Sequence, residues 1–191
     1  MAIELIVGLG NPGSEYRDTR HNAGFWWLDD VVRLSDANMR PEARFHGETA
    51  RASVHGHAVR LLKPTTYMNR SGQSVAALTG FYRIPLESIL VVHDEIDLEP
   101  GIVRLKQGGG HGGHNGLRDI IAALGSKEFY RLRLGVGHPG HSDDVVDYVL
   151  RKPRSEEKQE IERAMDKALR WLPEIVAGQM QRAMTGLHTP D

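Results

Sequence analysis

Short apolar runs and one-sided apolar periodicity take turns along the chain. Ile3-Glu4-Leu5-Ile6-Val7-Gly8-Leu9 is almost continuously apolar and is stopped by Gly10-Asn11-Pro12-Gly13. That pattern suits a strand covered on both faces of a parallel sheet. From Asn22 to about Leu34, Phe25, Leu28 and Val32 recur on one side, with Asp29, Asp30 and Arg33 on the other. This spacing predicts an amphipathic helix. Segments 44–54 and 57–63 read as strands joined through His55-Gly56 as a hairpin. A helix running through Val75, Leu78 and Tyr82 is expected next, capped by Asn69 or Ser71 and ended by Ile84-Pro85. Ile89-Leu90-Val91-Val92 is a second buried-type strand, and it carries His93-Asp94-Glu95 at its carboxyl end.

Val103 to Lys106 reads as a short strand before the glycine-rich stretch 108–116, and a helix is expected from Leu117 to Leu124. Arg131-Leu132-Arg133-Leu134-Gly135-Val136 alternates as a strand does, and a short helix is expected from Asp143 to Leu150 before Lys152-Pro153-Arg154. From Ser155 onward Ile161, Ala164, Met165, Ala168, Leu169 and Leu172 keep helical spacing, with Ser155 as the expected N-cap ahead of Glu156 and Glu157. Pro173 is expected to interrupt that helix, and the last residues to fray. Strands and helices in alternation predict an α/β fold: residues 1–191 as one domain, a three-layer sandwich with helices on both faces of a mixed sheet.

Composition removes several chemistries. The 191 residues include no cysteine, which excludes disulfides, thiolate nucleophiles, Cys-bound zinc and iron–sulfur clusters. The first residues, Met1-Ala2-Ile3-Glu4, have no basic stretch of a signal peptide, and no segment reaches the roughly 20 apolar residues of a membrane span. A soluble intracellular protein is the expectation. Charge is balanced, 24 Lys+Arg against 25 Asp+Glu, which argues against a whole-domain footprint for phosphate binding. The balance is uneven, however. Residues 101–154 hold nine basic and five acidic residues, whereas 81–100 hold one basic and five acidic.

Four groups of residues carry candidate chemistry. Gly8-Leu9-Gly10-Asn11-Pro12-Gly13 matches G-x-G-x-x-G, but a dinucleotide site needs a helix opening at that loop, and the first convincing helix starts at Asn22. A tight turn presenting Asn11 is the alternative. The loop Gly108–Gly116, with His111 and His114, can bring backbone N–H groups close to a ligand. It lacks the Lys-Ser/Thr ending of a phosphate-binding P-loop, and His111 and His114 have no Cys or carboxylate beside them to complete a metal site. His21, Asp94 and the asparagines Asn11, Asn69 and Asn115 all fall at strand ends or loop–helix junctions. A histidine oriented by a carboxylate can take a proton from water, and amides can hold a carbonyl or an oxyanion. Each also has a plainer reading as a surface residue, a helix cap or a turn former. Lys106, Arg131 and Arg133 are either solvated strand charges or a phosphate clamp.

Five blocks together resemble the bacterial peptidyl-tRNA hydrolase family. They are Val7–Gly13 with Tyr16, Thr19-Arg20-His21-Asn22-Ala23-Gly24, Lys63-Pro64-Thr65-Thr66-Tyr67-Met68-Asn69 with Ser71-Gly72, His93-Asp94-Glu95-Ile96-Asp97, and Gly108–Gly116. They occur in order, with matching spacing, over nearly the whole chain. The family often carries alanine where Gly10 stands. The resemblance implies a twisted mixed sheet between helices and a monomeric cytoplasmic enzyme that needs neither metal nor cofactor. Its implied reaction is hydrolysis of the ester between a nascent peptide and the tRNA 3′-terminal ribose, recycling tRNA for translation. It further implies that His21 is the base, that Asp94 fixes its tautomer, and that Asn11 positions the base or the tRNA end. By the same likeness Asn69 and Asn115 bind the peptide or the ester, Tyr16 and Met68 line the cleft, His114 sits near the tRNA 3′ end, and Lys106 and Arg133 clamp the tRNA 5′-phosphate.

Overall fold

In the computed structural model, which describes residues 1–191, β1 (Leu5–Gly8) lies between two parallel neighbours and every one of its residues is buried. Val7 is in register with Leu62 of β4 (His57–Pro64) on one side and with Val91 of β5 (Ile89–Glu95) on the other. The remaining strands are β2 (Arg40–Glu42), β3 (Gly47–Val54), β6 (Val103–Gln107) and β7 (Tyr130–Gly135). All seven form one sheet in the order β2-β3-β4-β1-β5-β7-β6. β4, β1, β5 and β7 are mutually parallel, while β2, β3 and β6 pair antiparallel, so the sheet is mixed as expected. His55 and Gly56, both at positive φ (48° and 83°), make the two-residue turn of the β3–β4 hairpin.

Alternation along the strands divides the core. Leu90 and Val92 of β5 join α1 (Ala23–Leu34), α5 (Ser155–Arg170), α6 (Leu172–Val176) and α7 (Met180–His188) on one face. Ile89 and Val91 join α2 (Ser71–Tyr82) and α3 (Asn115–Leu124) on the other. The result is the helix–sheet–helix sandwich that the pattern predicts. Trp27, fully buried, locks α1 to α5 by donating to Met165 O at 3.2 Å.

Several boundaries differ from the sequence reading. β2 escapes it because Arg40-Pro41-Glu42 has no apolar position and pairs as an outer strand through its backbone. Neither Asn69 nor Ser71 caps α2: a turn of 3-10 helix (Met68–Arg70) precedes it, and the Asp119 carboxylate from α3 accepts the Gly72 N–H at 2.7 Å. Arg154, not Ser155, occupies the N-cap of α5, where its N–H donates to Glu157 Oε1 at 2.9 Å. The short helix α4 spans Val145–Val149 after a 3-10 turn at Ser142–Asp144. Pro173 does end one helix, because it stands in the first turn of the next, where a missing N–H costs nothing. Beyond it α7 buries Met180, Ala183 and Leu187, and only Thr189, Pro190 and Asp191 lie past the helix, exposed.

Parallel orientation brings the carboxyl ends of β4, β1, β5 and β7 to one edge. β1 leads away from β5 to β4, so the crevice between β1 and β5 is the switch point at which open α/β sheets place ligands. Asn11, Met68-Asn69 and Asp94 all emerge there.

Candidate active site

His21 stands in the middle of a 3-10 turn, Arg20–Asn22, that leads directly into α1. The turn reaches the strand edge because α1 begins with Ala23-Gly24: a Cβ on Gly24 would overlap Val92 O and the backbone of Leu9. His21 Nδ1 lies 3.0 Å from both Asp94 Oδ1 and Oδ2. As an N–H donor to the carboxylate, Nδ1 leaves the Nε2 lone pair without a protein partner. His114 approaches the same carboxylate, its Nε2 2.9 Å from Asp94 Oδ1. Its Nδ1 accepts from Gly116 N–H (3.1 Å) and Leu117 N–H (3.3 Å) at the start of α3, so the proton must sit on Nε2.

Electrostatics follow from this geometry. Burial opposes charge on Asp94, but the facing imidazoles of His21 and His114 outweigh it and hold the carboxyl far below the usual carboxylate range. Burial pushes His21 down, while the charge and hydrogen bond of Asp94 push it up more strongly, to a net position above its ordinary value. His93 behaves oppositely. Fully enclosed and next to His114, it is lowered to about 3, and its Nδ1 lies 2.7 Å from Asp94 O. It is a neutral packing partner for the His114 ring, 5.0 Å away.

A cleft of about 680 Å³ opens beside this pair, and His21, Asp94, His114, Asn11, Asn69, Asn115 and Met68 all line it. Asn11 is oriented from three sides. Asn22 accepts its N–H at 2.9 Å and donates to its carbonyl at 3.0 Å, while Met68 N–H donates to Asn11 Oδ1 at 2.7 Å. With Oδ1 engaged, the Asn11 amide offers Nδ2 as a donor. Asn69 and Asn115 are exposed at the rim. Tyr16 does not line the cleft; it packs edge-on against Tyr67, which does, at a centroid distance of 6.3 Å.

The far wall was not legible beforehand. Val145, Val146, Val149 and Leu150 on and beside α4 present apolar side chains to the cleft, with Val146 65% exposed. Asn22 was also overlooked as the clamp on Asn11, although it adjoins His21 in sequence.

Lys106 and Arg133 stand outside the cleft, on the edge strand β6 and its neighbour β7. Arg133 is linked to it through Glu95, a lining residue, at 3.9 Å. Burial, then Arg133 and Arg131, lower Lys106 from its usual value, so positive charge is crowded here. Arg131 takes a different role from its neighbours. Its guanidinium is fully buried and donates to Gly110 O and Gly109 O, both at 2.6 Å, and to Lys127 O at 3.0 Å, which fastens the glycine loop.

Two other readings lose support. His111 Nδ1 accepts the Gly113 N–H within its own loop at 2.9 Å, while His114 is turned into Asp94. One ligand atom from each of His21, Asp94 and His114 falls within 4.8 Å of the others, yet the imidazole groups facing Asp94 are N–H donors already hydrogen-bonded to it. After Gly13 the chain makes turns before α1 opens at Ala23, and the start of α1 is spent on the Gly8–Gly13 loop itself: Phe25 N–H donates to Leu9 O at 3.2 Å and Asn22 holds Asn11, which leaves little room there for a pyrophosphate. Its glycines serve packing instead: a Cβ on Gly10 would lie 2.5 Å from the Phe25 ring.

Comparison with known proteins agrees with this geometry. Residues 5–191 match the family model described as peptidyl-tRNA hydrolase. The peptidyl-tRNA hydrolase of Halorhodospira halophila is 58% identical over 184 residues, covering 96% of this chain and 95% of the relative. That of Pseudomonas syringae pv. tomato is 58% identical over 189 residues, covering 98% and 97%. The crystal structure of peptidyl-tRNA hydrolase from Acinetobacter baumannii superimposes with a TM-score of 0.95 at 51% identity, over 97% of this chain and 94% of that one.

Proposed function

The chain belongs to the peptidyl-tRNA hydrolase family and is a hydrolase of peptidyl-tRNA, and we propose that it works through water activated by His21. The observation that carries this reading is the His21–Asp94 pair, with Nδ1 3.0 Å from both carboxylate oxygens and Nε2 left as the basic nitrogen beside the cleft. Nε2 takes a proton from water as the water oxygen attacks the carbonyl carbon of the ester linking peptide to the tRNA 3′-terminal ribose. Asp94 keeps the imidazole in the required tautomer and stabilises the imidazolium, the task of a triad carboxylate. The Asn11 amide, with Oδ1 held by Met68 N–H, positions the water or the tRNA end through Nδ2. Asn69 and Asn115 hold the peptide or the ester carbonyl, and donors of this kind lower the barrier where negative charge develops. Collapse of the tetrahedral intermediate breaks the carbonyl–ribose bond, and the imidazolium returns its proton to the departing ribose oxygen. The products are a free peptide carboxylate and deacylated tRNA.

Met68 and the α4 wall supply apolar contact to the peptide, and Tyr16 supports that side through Tyr67. His114 stands near the tRNA 3′ end, and Lys106 and Arg133 receive the 5′-phosphate. One sheet carrying both helical layers supports residues 1–191 acting as one domain. No helix is long and apolar enough to cross a membrane. We take the enzyme to act as a monomer in the cytoplasm, without metal or cofactor.

Incubation with peptidyl-tRNA, with and without chelator, tests the reading. Peptide release that survives chelation and disappears in His21→Ala, with tRNA binding and fold retained, is expected. Near-native release by His21→Ala would overturn the base assignment, and loss on chelation would overturn metal independence.

A further inference from the structure

Arg20, beside His21 in the same turn, is 6% exposed and does not line the cleft. Its guanidinium donates from Nη1 to Tyr148 O at 2.9 Å and from Nη2 to Glu157 Oε1 at 3.1 Å, and it stacks 3.8 Å from the Tyr148 ring centroid. The Arg20 backbone N–H donates to Arg151 O at 3.1 Å. Glu157 also takes the N–H of Arg154 at the start of α5, and the Tyr148 hydroxyl donates to Val136 O, just past β7, at 2.7 Å. One buried cation therefore joins three parts directly, the turn that holds His21, the carboxyl end of the α4 wall and the start of α5, and through Tyr148 it reaches the end of β7.

A buried ion pair is a poor device for stability alone, because its desolvation cost commonly cancels its attraction. What the planar guanidinium provides here is geometry, since its fork and its stacked face fix direction as well as distance. We propose that Arg20, with Glu157 as counter-ion, is a positioning residue that sets the separation between His21 and the apolar α4 wall. A peptide held on that wall then presents its ester carbonyl at a fixed distance from the base. The proposal rests on His21 being the base.

The test compares Arg20→Ala, Arg20→Lys and Glu157→Gln with the wild-type enzyme for kcat and KM on peptidyl-tRNA, affinity for deacylated tRNA, thermal midpoint, and the ¹⁵N resonances of the His21 ring. A displacement of about 1 Å in a reacting group costs on the order of 100-fold, so Arg20→Ala is expected to lose about that much in kcat. Its affinity for deacylated tRNA should stay unchanged. Arg20→Lys keeps the charge and should recover part of kcat, and the His21 resonances should shift in Arg20→Ala. If Arg20→Ala does not fold, Glu157→Gln and Arg20→Lys carry the same comparison, with kcat reduced in each. Lower thermal midpoints with wild-type kcat, KM and His21 resonances would overturn the proposal and leave Arg20 a structural residue. Full activity in His21→Ala would instead remove the base reading on which it rests.

Discussion

The rings of His21 and His114 lie 4.8 Å apart, and both direct an N–H at the one carboxylate of Asp94. Their remaining nitrogens face different ways: His114 Nδ1 is occupied by the start of α3, while His21 Nε2 has no protein partner. The pair is therefore asymmetric by construction. His114 fixes Asp94 to α3, and Asp94 in turn orients the His21 ring.

The pH dependence of turnover follows from this arrangement. His21 is a base only when neutral, so kcat should rise with pH through an apparent value above the ordinary 6.5, because Asp94 outweighs burial. Asp94→Asn removes the charge and leaves the burial, which moves the rising limb to lower pH. Loss of the orienting carboxylate costs about 10⁴ in kcat in a serine protease triad, and a loss of about 10²–10⁴ is expected here. Rates measured between about pH 5 and 9 check both parts, since a bell or limb reports the essential base. A limb left in place by Asp94→Asn would show that Asp94 is not its cause.

Gly24→Ala should be more damaging than Gly10→Ala. At Gly24 the new methyl would overlap backbone atoms of Val92 and Leu9, which two sheet strands hold in place. At Gly10 it would meet the Phe25 ring, a side chain rather than backbone. Overpacking costs about 1–3 kcal/mol or more, and the full cost falls where the neighbour is backbone. Thermal denaturation of both variants gives the order, and equal midpoints would contradict it.

Most of the fold and the core of the site were legible because the strands that build them are continuously apolar. Ile89–Val92 announces a buried strand, and whatever follows it, here Asp94, must emerge at the sheet edge. β2 was illegible because its hydrogen bonds come from backbone and none of Arg40, Pro41 and Glu42 leaves an apolar mark. Arg131 is neither the solvated charge nor the phosphate clamp that an alternating strand suggests, since three backbone carbonyls hold it buried. The apolar α4 wall was missed for a further reason. Periodicity can show that Val145 and Val149 share a helix, but not that the helix turns toward residues from β1 and β5. Asp119 as the cap of α2 belongs to the same class, since its partner Gly72 is remote in sequence.

That cap has a measurable consequence. The Asp119 carboxylate accepts one free N–H of the first turn of α2, that of Gly72, just after the turn that presents Met68 and Asn69 to the cleft. Losing an N-terminal cap costs about 0.5–2 kcal/mol, so Asp119→Ala should lower stability by that order. KM should rise as Asn69 loosens. Asp119→Asn retains an acceptor and should lose less of both. Chemical denaturation with parallel kinetics measures the pair, and an unchanged KM in Asp119→Ala would detach the cap from Asn69.

The crowded cations on β6 and β7 make the most selective prediction. Burial and then Arg133 and Arg131 lower Lys106, burial and Arg104 lower Arg133, and Glu95 is a distant partner of Arg133 at 3.9 Å, so a dianionic phosphate beside them would relieve repulsion. Hydrogen bonds to charged groups contribute about 1.5–3 kcal/mol, less where solvent screens them. Lys106→Ala and Arg133→Ala should therefore each raise KM by about tenfold for substrates bearing a 5′-phosphate, with kcat nearly unchanged. On substrates lacking that phosphate the same variants should match the wild-type enzyme. Equal losses on both substrates would assign these residues to general tRNA attraction. Each phosphate neutralised along the tRNA backbone adds about one unit to the salt slope of binding. A shallow dependence of KM on salt should accordingly accompany the clamp, and a steep one would point to contact along much of the tRNA backbone.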